Sequence, residues 1–112
     1  VETLTTEELI ALMKDEPDMV LIDVLGEAEY ESEHIPGSFN APVSRETFEE
    51  DVEELVDSVE TVIVVYSADE ESEDSRLAAR KLTAAGFANV YDYEGGLRVW
   101  LESGRDVDRG LS

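Results

Sequence analysis

A chain of 112 residues is long enough for one domain, and its 42% apolar content is enough to fill a core. Eight Lys and Arg against 29 Asp and Glu give a net charge of −21, which argues against nucleic-acid binding. There is no cysteine, which excludes disulfides, thiolate metal sites and a cysteine nucleophile. No apolar run approaches the roughly 18 residues that a membrane helix needs, so no membrane partner is expected. The opening VETLTTEELI lacks a basic region followed by an apolar stretch, so a cytoplasmic protein is expected. The acids are spread along the chain between apolar positions, unlike a disordered acidic tail. Such dispersed charge repels itself in dilute buffer and is screened in molar salt. The composition is similar to that of proteins from salt-accumulating halophiles.

In chain order, Thr5 and Glu8 stand at capping-box spacing before Leu9, Ile10, Leu12 and Met13, which predicts a helix ending between Asp15 and Asp18. Met19 to Val24 is nearly continuously apolar, as a strand buried on both faces requires. Glu27 to Glu33 suits a short helix, His34-Ile35-Pro36-Gly37 a turn, and Ser38 to Pro42 a short extended piece. Ser44 is expected to cap a helix from about Arg45 to Asp57, with Phe48, Val52, Leu55 and Val56 on one face. Thr61 to Tyr66 is a second apolar strand. The next helix, from Ser75, is expected to bury Leu77, Ala78, Leu82 and Ala85 and to end at Gly86. Asn89 to Tyr93 is a third strand, and Gly95-Gly96 opens a last helix through Trp100 that stops at Gly104. Phe87 and Trp100 are assigned to the core.

Alternating strands and helices with short connections predict an α/β fold, a mainly parallel sheet with helices on both faces. The chain 1–112 reads as one domain, with its core over about 4–104 and a polar tail over 105–112. Ligands of such sheets bind at the carboxyl ends of the strands. That directs attention to Asp23 to Glu27, to the loop after Tyr66 and to the Glu94-Gly95-Gly96 turn.

LIDV followed by acids and Tyr30, then EHIPGS, IVVYS with its loop, and SRLAARKLTAAGFANVYDYEGGLRVW together resemble a single-domain rhodanese. The resemblance runs from about Leu4 to Gly104 and implies the three-layer rhodanese fold. It also implies an activity, thiosulfate sulfur transfer through a cysteine persulfide cradled by loop N–H groups. The implied partners are a small sulfur-containing anion and a thiol acceptor, with no cofactor. By this resemblance Ser67 occupies the cysteine position. The stretch from Ser67 to the helix-start Ser75 is two residues longer than the family's usual loop. A subgroup with such a loop carries a second cysteine where this chain has Ser72. Leu25 stands where the family usually has an arginine that takes part in the hydrogen bonding around its active site.

The candidate site is therefore Ser67 with the loop Ala68, Asp69, Glu70, Glu71, Ser72, Glu73, Asp74, Ser75 and Arg76, supported by Asp23. A helix N-terminus and a nest of loop N–H groups lower a thiol's pKa. A serine hydroxyl starts far higher, stays protonated and cannot form a persulfide. The five acids around it oppose an anionic donor, with Arg76 as the nearby cation. They read as solvated surface; a divalent-cation site lacks the EF-hand spacing and turn glycine. Ser67 is not in a G-x-S-x-G elbow, and His34, the one candidate base, belongs by resemblance to a structural turn. The rhodanese-fold phosphatases need an arginine where this loop has Glu73. Asp23 either orients loop N–H groups or simply ends its strand. Two functions remain: a sulfurtransferase scaffold silenced by Ser67, and a non-catalytic module that binds a protein partner or regulates through the same face.

Overall fold

The computed structural model describes residues 1–110. Strands β1 (Glu2–Thr3), β2 (Val20–Asp23), β3 (Phe39–Asn40), β4 (Val62–Tyr66) and β5 (Asn89–Tyr93) form one sheet in the order β1-β5-β4-β2-β3, every pairing parallel. The connecting helices are α1 (Thr6–Asp15), α2 (Glu27–Ser32), α3 (Phe48–Leu55), α4 (Asp74–Ala84) and α5 (Gly96–Glu102).

The continuous apolar runs of β2 and β4 follow from their central place, because a strand covered on both faces has no side that prefers polar residues. Ile22, Ile63, Val65 and Val90 face one way and pack with Phe48 and Val52 of α3 and Ala78, Ala79 and Leu82 of α4. Leu21, Val64, Tyr66 and Tyr93 face the other way, against Leu9 of α1 and Trp100 of α5. The result is the expected three-layer α/β arrangement. Phe87 and Trp100 are core residues, and α1 begins with the anticipated capping box of Thr5 and Glu8.

Two helix expectations are corrected, and two features carry no signal in the pattern. β1 has no apolar signature; its exposed Glu2 and Thr3 are strand only because they pair with Tyr91 and Asp92. Helix α3 starts at Phe48, and Ser44 does not cap it. Residues 42–48 instead make two successive tight turns, Arg45 N–H to Pro42 O and Phe48 N–H to Arg45 O. Helix α4 buries Ser75, Ala78, Ala79 and Leu82, an i, i+3, i+4, i+7 face that turns Leu77 and Ala85 outward. Part of the expected tail is docked. Asp108 and His34 exchange backbone hydrogen bonds of 2.9 Å each, Gly110 N–H reaches Glu31 O, and Val107 packs beneath Trp100's layer. Residues 111 and 112 of that tail lie outside the described residues.

Candidate functional site

The sheet register brings the carboxyl ends of three strands level. Asp23 pairs with Tyr66, and Tyr66 with Tyr93. The three stretches singled out by the pattern therefore converge at one end of β2, β4 and β5.

Ser67 follows β4 directly and is wholly buried. Its carbonyl accepts Leu97 N–H at 3.0 Å, and the next carbonyl, of Ala68, accepts Arg98 N–H at 2.9 Å. The first turn of α5 thus clamps the start of the loop. Ser67 Oγ has no hydrogen-bond partner. No base is in place to activate it. His34 is not bonded to it: its Nδ1 lies 2.7 Å from Tyr30 O, its ring stacks on Tyr30 at 3.8 Å between centroids, and its Nε2, like Ser67 Oγ, has no hydrogen-bond partner. The serine-hydrolase alternative has no support in this geometry.

The loop is held from within by Asp69. One carboxylate oxygen, Oδ1, accepts the N–H groups of both Glu71 and Ser72 at 3.0 Å. This is the aspartate side-chain turn, in which the carboxylate stands in for a backbone carbonyl. Ser72 Oγ in turn accepts Asp74 N–H at 3.3 Å. Ser72, not Ser75, therefore meets the first turn of α4, and no side chain of the preceding residue, Glu73, caps the helix. Ser75 lies inside the helix, buried, with its hydroxyl near the buried Asp92 carboxyl, whose Oδ1 has no hydrogen-bond partner. Ala68, Glu70, Glu71 and Glu73 are exposed; Asp69, Ser72 and Asp74 are half-buried. Arg76 is exposed and pairs with Glu73 on one side and with Glu94 at 3.7 Å on the other, bridging the loop to the β5–α5 turn.

Asp23 does not reach the loop. Its Oδ1 accepts Leu25 N–H at 2.9 Å, and its Oδ2 has no partner within hydrogen-bonding distance. Burial pushes its pKa up to about 6, opposed by the Leu25 N–H and the nearby Tyr66 hydroxyl. Tyr66 is itself the centre of a buried polar cluster. Its hydroxyl accepts Ile35 N–H at 3.0 Å and bonds Ser38 Oγ at 2.9 Å, while Tyr30 donates to Ser38 O at 2.6 Å. Burial, reinforced by the Asp23 charge, pushes the Tyr66 phenol far above its ordinary range. Burial also raises Asp92, opposed by the nearby Ser75 hydroxyl. Together with Asn40, whose amide donates to Asp23 O and Leu25 O, Asp23 bonds the chain as it leaves β2.

Sequence reasoning missed Asn40, Asp92 and the inward turn of Asp69. For Asp69 a signal existed, because an aspartate two and three residues before free N–H groups favours this turn. The other two depend on contacts between distant segments. A cleft of about 510 Å³ lies at the β3 edge, lined by Gly26, Asn40, Ser44, Arg45 and Asp51 among others; Ser67 does not line it. Among the described residues no group of His, Asp and Glu has metal-site geometry, and no helix is long and apolar enough to cross a membrane.

The family model described as "Rhodanese-like domain" matches residues 5–103. Among solved structures, the Alr3790 protein from Anabaena sp. is 24% identical with a TM-score of 0.84, covering 97% of this chain and 94% of that one. The polysulfide-sulfur transferase homodimer of Wolinella succinogenes is 25% identical with a TM-score of 0.76, covering 97% of this chain and 79% of that one. A thiosulfate sulfurtransferase from Pseudomonas aeruginosa is 24% identical with a TM-score of 0.82; it covers all of this chain, which spans 21% of its length. No curated protein matches the chain.

Proposed function

The chain belongs to the rhodanese-like domain family, and we propose that it is a sulfurtransferase scaffold whose sulfur-bearing position is Ser67, so that as written it transfers no sulfur. The observation that carries this reading is the placement of Ser67. It is buried at the end of the central strand, before the loop that leads into α4, with an unpartnered hydroxyl. A thiol at that position would meet the loop and helix N–H groups that favour a thiolate. A hydroxyl there keeps its proton and offers no sulfur.

The test restores the atom. In Ser67→Cys the thiolate attacks the outer sulfur of thiosulfate, the S–S bond breaks, and sulfite leaves with its electron pair. Cyanide then takes the outer sulfur as thiocyanate and returns the thiolate. The expected result, in molar KCl, is a mass gain of one sulfur and thiocyanate turnover, both lacking in the parent chain. A folded Ser67→Cys protein with neither would sink the reading.

A second reading is a non-catalytic module that binds a protein partner through the same face. Two observations favour it. Leu25 stands where the family carries an arginine, and Asp69 already occupies two loop N–H groups. Failure of Ser67→Cys would leave this reading standing.

A further inference from the structure

We infer that Asp69 selects by charge among the reagents that reach position 67, slowing anionic sulfur donors relative to uncharged ones. The inference rests on the reading of Ser67 as the sulfur-bearing position and names the donor class of that site.

A loop cradles an anion by leaving its N–H groups free to converge on it. Here Glu71 and Ser72 point theirs at a single oxygen of Asp69, at 3.0 Å each. The loop has supplied its own anion. Asp69 is also half-buried, whereas Glu70 and Glu71 are exposed, so its charge is the less screened by water and salt. The clamp from α5 on the carbonyls of Ser67 and Ala68 fixes the start of the loop, and with it the stretch that leads to Asp69. An incoming dianion such as thiosulfate therefore meets a fixed carboxylate and fewer free amides. An uncharged donor loses less.

Charge and turn can be separated. Asp69→Asn keeps a side-chain oxygen for both N–H groups and removes the charge. The chain has no cysteine, so the thiol of Ser67→Cys is the one alkylation site. Its rates with uncharged iodoacetamide and anionic iodoacetate are measured in the Ser67→Cys protein with and without Asp69→Asn. The expected result is that Asp69→Asn lowers the iodoacetamide-to-iodoacetate rate ratio about fivefold or more, while Glu70→Gln and Glu71→Gln leave it nearly unchanged. Asp69→Ser, a neutral acceptor, serves if Asp69→Asn does not fold. An unchanged ratio would overturn the inference, as would an equal shift in Glu70→Gln or Glu71→Gln. So would a thiol that iodoacetamide cannot reach, since exclusion would then be steric. The readout is independent of turnover. A shifted ratio without sulfur transfer removes the sulfurtransferase reading alone; transfer with an unshifted ratio removes the role of Asp69 alone.

Discussion

Gly96 lies directly against the carbonyl of Ser67. A Cβ at position 96 would stand 2.4 Å from Ser67 O and 3.1 Å from Ala68 C, and Gly96 has φ of +64°. Backbone cannot move aside as a flexible side chain can, so a substituent here displaces either α5 or the loop that starts at Ser67. Gly104 also has positive φ, +83°, but open space around the missing Cβ. Gly104→Ala is expected to cost about 1 kcal/mol from conformation alone. Gly96→Ala adds the clash and is expected to cost about 3 kcal/mol or more. Urea unfolding of the two variants in molar KCl checks this. Equal costs would mean that the approach of α5 to the loop is not tight.

The two apolar runs, β2 and β4, were legible because central parallel strands must be apolar on both sides, and the third expected strand, Asn89–Tyr93, matches its bounds to the residue. β1 was illegible for the opposite reason: an edge strand of two exposed residues has no burial to write into its sequence. The resemblance located Ser67 and its loop, but the roles within the loop depend on side-chain direction. Ser75 reads as a helix start because serine favours that position. The packing of Ser75 beneath Asp92 depends on β5, which pattern alone cannot align with α4. His34 and Asp108 pair across more than seventy residues, so the docking of the tail leaves no local trace.

The surface charge predicts a steep dependence on salt. Only Glu33, Asp51, Glu73, Glu94 and Glu102 among the 29 acids pair with an arginine among the described residues. The remaining carboxylates repel one another over a small fold with a radius of gyration of 12.5 Å. At about 1 M salt the Debye length is about 3 Å, shorter than most separations on such a surface. The melting temperature is expected to rise by about 10 °C or more between 0.05 M and 2 M KCl. A flat response by calorimetry would contradict both the repulsion and the halophile-like reading of the composition.

Asp23 predicts a pH effect of definite sign. Its pKa is raised from the ordinary 3.8 to about 6 in the fold, first by burial. The folded state therefore favours the protonated carboxyl. The stabilisation this gives is complete below pH 3.8 and is lost as the pH rises through about 6. Above that, the buried charge costs up to about 3 kcal/mol. Asp23→Asn keeps Oδ1 for the Leu25 N–H and places a donor where Oδ2 has no partner, beside the Tyr66 hydroxyl. The variant's stability relative to the parent should therefore increase by about 2–3 kcal/mol between pH 4 and pH 7. Subtracting the parent curve removes the titration of the other acids. Unfolding measured at both pH values in molar KCl decides it: a difference that stays constant would show that Asp23 is ionised in the fold throughout, and that the desolvation of this carboxyl is relieved by a partner.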